Sequence, residues 1–168
     1  MKPTSAAIRL LNKQIEAAKS GRVTWISRLL QEVIPFNRPH RLRVVSLSDH
    51  SCTIALPFRR RNKNHLGTMH ACAIATASEY AAGMCVLATL GVGGFRLIMS
   101  DLHVTYVRRG EMDCQATASF PEEVKQDMIR GLDLDGKAQF DMVSEVSDAK
   151  GQPVARAVVT WHIKRMGV

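Results

Sequence analysis

Apolar and polar residues alternate along much of the chain after residue 40, and this period of two is typical of half-buried β-strands. The clearest example is the run from Met112 to Phe120, in which every second residue is apolar. Polar turn residues separate the runs, as at Ser48–Ser51 and Asp148–Gly151. The pattern predicts six strands, over approximately residues 42–47, 52–58, 95–108, 112–120, 138–146 and 155–163.

Three other segments carry apolar residues at helical spacing. Residues 4–19 and 25–33 each present one apolar stripe among basic and polar residues. Residues 121–129 begin with Pro and two Glu residues and are followed by Gly131, which predicts a short helix that ends before this glycine. We therefore expect two N-terminal helices and one short helix between strands.

The segment from Ala71 to Leu90 differs from all of these because it is apolar on nearly every side. Its twenty residues contain one charged residue, Glu79. Such a helix could cross a bilayer by length, but a central carboxylate and many small residues favour a helix buried in a protein core. Burial of a carboxylate is costly unless it is paired or used, so Glu79 is the first candidate for a functional residue.

The economical way to bury this helix is to wrap an antiparallel sheet around it, which gives an α+β fold. We predict an N-terminal helical extension over residues 1–38 and a main domain over residues 39–168. A length of 168 residues fits this arrangement, since it suits one core of ordinary size.

Composition adds a basic character to the picture. The net charge is +8 and the pI is near 9.7, a balance that favours anionic partners or a solvated basic surface. Basic residues cluster at 59–63 and 108–109 without a nucleic-acid motif, so we expect no nucleic-acid partner and no stable membrane insertion. Four cysteines without CxxC spacing favour reduced thiols and a cytoplasmic location.

Polar residues at three-residue spacing precede the apolar helix: Asn64, Gly67 and His70. Asn64 offers an amide for orienting a ligand, although it could equally be a turn residue. Gly67 permits a tight turn, and Ala71 brings a free backbone N–H at the positive end of the helix dipole. This arrangement suits stabilisation of a developing oxyanion.

The distance along the helix separates these groups from Glu79. Nine residues at about 1.5 Å each put Glu79 roughly 13 Å from His70. A reacting centre must lie within about 3 Å of both the base and the oxyanion donors. We therefore predict a dimer in which Glu79 of one copy faces the helix start of the other.

The order of the elements and the motif Asn64-x-x-Gly67-x-x-His70-Ala71-x7-Glu79 resemble the hotdog-fold acyl-CoA thioesterases. The resemblance covers approximately residues 40–165 and is strongest to the phenylacetate-pathway and hydroxybenzoyl-CoA types, within a poorly characterised bacterial subfamily. It implies hydrolysis of an acyl-CoA or another acyl thioester by a homodimer or homotetramer, with coenzyme A as part of the substrate and no separate cofactor or metal.

The resemblance also implies roles for individual residues. Glu79 would be the nucleophile or the general base, and the Ala71 N–H would bind the oxyanion. Asn64 would orient water or the thioester oxygen, while His70 and Gly67 would support that end of the site. The phosphates of coenzyme A would bind basic side chains, for which the candidates are Arg59, Arg60, Arg61, Lys63, Arg108 and Arg109.

Two departures from the family pattern keep a second function open. The family's His-Gly-Gly is His70-Ala71-Cys72 here, and Gly83 stands where many relatives have Ser or Thr one turn after the acidic residue. A non-catalytic acyl-CoA-binding or regulatory protein is therefore the alternative. A hydratase of the same fold would need a His and acid arrangement that this sequence does not show.

Overall fold

The computed structural model describes residues 4–166, which form a six-stranded antiparallel sheet curled around one long helix. The strand order is β1-β2-β4-β5-β6-β3. This confirms the predicted α+β hotdog architecture with two additional N-terminal helices. The elements are α1 (Ser5–Lys19), α2 (Thr24–Val33), β1 (Arg43–Leu47), β2 (Ser51–Leu56), α3 (Ala71–Leu90), β3 (Phe95–Tyr106), β4 (Cys114–Ser119), α4 (Glu122–Leu134), β5 (Lys137–Asp148) and β6 (Pro153–Arg165).

The central helix α3 has the predicted bounds and contacts all six strands. Twelve of its twenty residues are buried, which accounts for the near absence of a polar face. Its length and hydropathy would suit a membrane span, but 61% of the most apolar window is buried inside the fold. The apolar run is therefore explained by the sheet that surrounds it.

Small side chains let the sheet approach α3 closely. Strand β4 places Cys114, Ala116 and Ala118 on its buried face, opposite the Ala-rich helix. Larger side chains such as Phe120 and Met142 are buried in the same core. Alternation along β4 thus sets which residues reach the core, as the sequence pattern predicts.

The N-terminal helices pack on the main body through Leu11, Ile15, Ile26 and Leu30, which lie in the same hydrophobic core as the strands.

Helix α2 also lies along β1, the first edge strand. There the buried Ser27 hydroxyl accepts a hydrogen bond from the Val44 N–H of β1. The Gln31 side chain donates a hydrogen bond to the carbonyl of Leu42, the residue before β1. The boundary at residue 38 stays a prediction.

At the opposite edge of the sheet, β3 has β6 as its one strand partner within residues 4–166. Ile98, Met99 and Tyr106 are large apolar or aromatic side chains on this strand, and between 39% and 53% of each is exposed. Exposed edges of this kind are available for pairing with another chain. One edge of the sheet, β1, is therefore covered by α2, whereas the other edge, β3, is exposed.

Two local features differ from the sequence prediction. Helix α4 continues through Gly131 to Leu134, because Gly131 lies against β5 where a Cβ would be 3.0 Å from the Lys137 carbonyl oxygen. The prolines at 35 and 39 lie in a six-residue 3-10 helix, Pro35–His40, where no element was predicted.

Candidate functional site

His70 begins helix α3 as its N-cap. Its backbone is extended, and its Nδ1 accepts a hydrogen bond from the Cys72 N–H at 3.0 Å. This bond requires a lone pair on Nδ1, so the neutral ring carries its proton on Nε2. The side chain is exposed, so this Nε2–H can donate to a ligand.

The first backbone donor of the helix belongs to Ala71. Within residues 4–166 its N–H has no hydrogen-bond acceptor, whereas the next two N–H groups are both bonded to His70. The Ala71 carbonyl accepts from the Tyr106 hydroxyl at 3.0 Å, which holds the end of β3 against the helix start. An N–H at this position lies at the positive end of the helix dipole and can bind an anionic oxygen.

The loop before the helix is organised by Asn64. Its Oδ1 accepts from the N–H groups of Leu66 and Thr68, at 3.0 and 3.2 Å, and its Nδ2 donates to the Thr68 hydroxyl at 2.9 Å. Gly67 closes the turn with φ of +76°. Both residues shape this loop; the Asn64 amide retains one N–H that these bonds do not use.

Asn64 and Ala71 border an open cleft of about 350 Å³, called here the helix-start cleft, whereas His70 and Gly67 are not among the residues that line it. Two aromatic or apolar side chains and two arginines line it together with the loop. They are Tyr106, Val107, Arg108 and Arg109, and they face Asn64, Thr68, Ala71 and Ile74. The cleft thus combines a free backbone donor with positive charge.

Glu79 lies in a different pocket. This second space, the Glu79 pocket, measures about 300 Å³ and is lined mainly by apolar side chains, among them Met84, Leu87, Phe95 and Leu97. Glu79 is half-buried, and within the described residues it makes no hydrogen bond or ion pair. Burial raises the pKa of its carboxyl group. The pocket therefore holds a carboxylate whose charge has no partner among residues 4–166.

Gly83 and Trp161 complete the surroundings of Glu79. Gly83 lies one turn further along α3, and a Cβ there would be 3.4 Å from the Trp161 ring. The buried Trp161 Nε1–H has no hydrogen-bond acceptor within residues 4–166. Trp161 and Glu79, each with a polar group unpaired within residues 4–166, therefore line one pocket.

The predicted phosphate-binding residues are not all in one place. Arg108 and Arg109 line the helix-start cleft, although Arg108 also pairs with Asp148 at 2.6 Å. Arg59 lines a third cleft beside α2. The ammonium of Lys63 lies 3.7 Å from the centre of the Phe58 ring, and Arg60 and Arg61 are exposed on the surface.

Sequence reasoning did not identify Tyr106 and Trp161 as site residues. Both belong to alternating strand patterns, in which an aromatic residue is ordinarily part of the core or of a solvated face. No spacing in the sequence links them to α3. Metal binding finds no support in the described part of the chain, where no three His, Cys, Asp or Glu side chains cluster.

A sequence model of the family described as "Domain of unknown function (DUF4442)" matches residues 22–163. The chain belongs to the DUF4442 family. The DUF4442 match includes α2 and all of β1 to β5, and with them both the helix-start cleft and the Glu79 pocket. No curated protein matches the chain in sequence.

Solved structures similar to this DUF4442 protein share its fold. A Pseudomonas aeruginosa protein of unknown function, named a probable thioesterase, has a TM-score of 0.76 at 24% identity, with 85% of this chain and 96% of that chain covered. A Haemophilus influenzae thioesterase has a TM-score of 0.65 at 9% identity, with 82% and 90% covered. A mutant thioesterase from Staphylococcus aureus gives 0.65 at 15% identity, with 77% and 98% covered.

Proposed function

We propose that this protein hydrolyses an acyl thioester in a site shared by two copies of the chain. The observation that carries the proposal is the unpaired, half-buried carboxylate of Glu79 in an apolar pocket. A carboxyl group whose pKa is raised is suited to accept a proton near neutral pH. The names of the similar solved structures favour the same chemistry.

In the proposed reaction, the thioester carbonyl lies at the helix start with its oxygen toward the Ala71 N–H. Glu79 of the partner copy either removes a proton from water that attacks the carbonyl carbon or attacks that carbon itself. If Glu79 acts as the base, the carbon–sulfur bond breaks, the thiolate takes up the proton that Glu79 removed, and the carboxylic acid leaves. If Glu79 attacks, the same bond breaks to leave an anhydride between the acyl group and Glu79, which water then hydrolyses to the carboxylic acid and the free carboxylate. The Ala71 N–H stabilises the negative oxygen in between.

A second copy is required because one chain does not bring the two halves together. Glu79 and Ala71 line separate spaces in the described chain, and eight residues of helix, about 12 Å, separate them. The exposed edge of β3, with Ile98 and Met99, offers a surface for a two-fold partner. We propose a homodimer as the smallest active unit, and a tetramer would preserve the same pairing.

We propose coenzyme A as the thiol carrier, with the acyl group in the apolar Glu79 pocket of the partner. Arg109 and, through its free N–H groups, Arg108 are suited to a phosphate at the mouth of the helix-start cleft. Aromatic and medium-length acyl groups fit a space of about 300 Å³. A cytoplasmic location would supply these substrates.

The first experiment measures thiol release from a panel of aromatic and aliphatic acyl-CoAs. Glu79→Gln should lower kcat by at least about 100-fold, as loss of a principal acid–base group does. Glu123→Gln, an exposed carboxylate on α4, is the matched control and should keep wild-type activity. Equal turnover by the Glu79 variant and the wild type would refute the assignment.

The pH dependence provides a second readout. Because burial raises the pKa of Glu79, wild-type kcat should rise as the pH increases through that raised value. Ionisation of a buried carboxyl also opposes folding above its unfolded pKa, so Glu79→Gln should be at least as stable as wild type at neutral pH. Lost activity in that variant would then not reflect unfolding.

Subunit complementation tests the shared site directly. Ala71→Pro removes the N–H at the first helical position, where the proline ring is tolerated, and the extended backbone of His70 suits a following proline. Refolding this inactive variant together with inactive Glu79→Gln should restore about a quarter of wild-type activity, because half the random dimers carry one intact site of two. Absence of recovery in proven mixed dimers would place the site within one chain.

A wild-type protein that binds acyl-CoA tightly but releases no thiol would support the non-catalytic alternative. Gly83 favours this alternative, since it offers no hydroxyl one turn from Glu79. Equilibrium binding of a non-hydrolysable thioether analogue separates the two outcomes. The hydrolase requires turnover of the matching thioester.

A further inference from the structure

A third cleft lies between α2 and strands β1 and β2, on the side of the molecule formed by the N-terminal helices. It measures about 690 Å³, within the range of small-molecule sites. Four arginines from separate parts of the chain line it: Arg28 on α2, Arg41 and Arg43 at the start of β1, and Arg59 after β2. The space that these four arginines line is called here the arginine cleft.

The charge of this cleft is uncompensated within the described residues. No acidic side chain lines it, and none of its four arginines forms an ion pair in residues 4–166. Four like charges around one concave surface repel one another and produce a strong positive potential. An anion bound among them would relieve that repulsion.

The walls of the arginine cleft are held together by hydrogen bonds between side chains of α2 and backbone groups of residues 42 and 44. Ser27 accepts a hydrogen bond from the Val44 N–H at 2.9 Å, and Gln31 donates to the Leu42 carbonyl at 3.1 Å. These bonds fasten α2, which carries Arg28, to the segment that carries Arg43. A preformed site loses little freedom when it binds a ligand.

The backbone turn at Arg41 also contributes. Arg41 has φ of 56° and is the only residue other than glycine with positive φ among residues 4–166. This turn leads the chain into β1, and Leu42 and Val44 are buried whereas Arg41 and Arg43 are exposed. Both of these arginines line the cleft.

We propose that the arginine cleft binds a phosphate-bearing anion, through bidentate contacts from its guanidinium groups to phosphate oxygens. Arginine is suited to this role because its planar donor pairs match phosphate geometry. Val23, Val45 and Pro57 supply an apolar wall in the same cleft, so the ligand is an organic phosphate. The inference does not depend on thioester hydrolysis, since Glu79 and Ala71 line other spaces.

Trp25 provides a reporter for binding. It is 64% exposed, and the Arg28 guanidinium carbon lies 5.4 Å from its ring centre. The other tryptophan, Trp161, is buried in the Glu79 pocket. Movement of Arg28 toward a phosphate should therefore change the fluorescence of Trp25, and Trp25→Phe should remove that change.

In the first arm, the full chain is titrated with AMP and with inorganic pyrophosphate, and binding is followed by fluorescence and calorimetry. In the second arm, sedimentation measures binding of the protein to vesicles of phosphatidylcholine with and without phosphatidylglycerol. Arg28→Gln/Arg43→Gln should weaken phosphate binding at least about tenfold. The control Arg9→Gln/Lys13→Gln removes the same charge from exposed positions on α1 and should bind as the wild type does. Thermal unfolding verifies that both variants are folded, and Arg59→Gln tests a different wall of the cleft.

The two arms distinguish the source of the phosphate. Saturable binding of AMP or pyrophosphate that the cleft variants lose indicates a soluble phosphate-bearing anion. Binding restricted to phosphatidylglycerol vesicles, and lost in the same variants, indicates a lipid headgroup. The proposal is overturned if the wild type binds none of these probes, or if the cleft and control variants weaken binding equally. Glu79→Gln should retain full phosphate affinity, so failure of either proposal leaves the other testable.

Discussion

Gly83 in α3 and Gly131 in α4 both lie inside helices with negative φ, yet the structure predicts opposite effects of alanine at the two positions. A Cβ at Gly83 would lie 3.4 Å from the Trp161 ring, which is an ordinary van der Waals contact. A Cβ at Gly131 would lie 3.0 Å from both the Ala138 Cβ and the Lys137 carbonyl oxygen. Neither of these last atoms belongs to the end of a flexible side chain.

The magnitudes follow from one gain that both sites share and one cost that only Gly131 bears. Alanine in place of glycine inside a helix adds about 1 kcal/mol of stability. At Gly83 most of this gain should be retained, which raises Tm by about 2–4 °C for a chain of this size. At Gly131 an overpacking cost of about 1–3 kcal/mol cancels or exceeds it, so Tm should stay level or fall by several degrees.

Thermal unfolding followed by circular dichroism measures both variants, and urea unfolding gives the free energies. The comparison controls for helix propensity because the substitution is the same. An increase in Tm for Gly131→Ala as large as that for Gly83→Ala would refute the packing argument. It would show that β5 can move away from α4 at little cost.

Three further predictions concern stability and thiol chemistry. Ser27→Ala should lower the free energy of unfolding in urea by about 1–3 kcal/mol without changing m, because the buried Val44 N–H loses its acceptor; an unchanged midpoint would contradict this. The pKa of the Asp148 carboxyl lies below its ordinary value because the carboxylate accepts hydrogen bonds from the N–H groups of residues 152 and 150 and lies beside the Arg108 guanidinium. The stability that this carboxylate contributes is therefore present above the pKa of the unfolded state and is lost as the pH falls through the pKa of the folded state. Wild type and Asp148→Asn should therefore differ in Tm at neutral pH and converge in acid, and a constant difference would contradict this. Of the four thiols, exposed Cys72 should react first with a thiol reagent in the native protein. Burial raises the pKa of the Cys85 thiol to about 12 and keeps this thiol unreactive until the protein unfolds. Mass spectrometry of the labelled protein identifies the modified cysteine.

The fold could be predicted largely because local patterns and tertiary structure agree. The apolar run of Ala71–Leu90 has one solution, a helix surrounded by other elements, and the structure gives it those bounds. Strict alternation located the strands for the same reason. The end of α4 was missed because a glycine after a helical pattern is ordinarily a stop signal. Here Gly131 lies inside the helix, where it is in close contact with β5, and the local pattern does not show that contact.

The candidate site was less accessible to sequence reasoning. Helical rise alone indicated that Glu79 and the helix start are separated, but it could not show that the Asn64 amide is used within its own loop. Nor could spacing show that Arg59 and Arg109, both in short basic clusters, line different clefts. Such relations depend on how distant strands are placed, and the site assignments stay predictions until they are measured.

The covering of β1 by α2 limits how copies of this protein can associate. Ser27 and Gln31 occupy backbone groups at that end of the sheet, which leaves no continuous row of donors and acceptors for an incoming strand. We therefore expect growth by strand addition to be confined to β3. In a pair joined there, neither copy would retain an open edge, so strand addition alone would not extend the pair into a fibre.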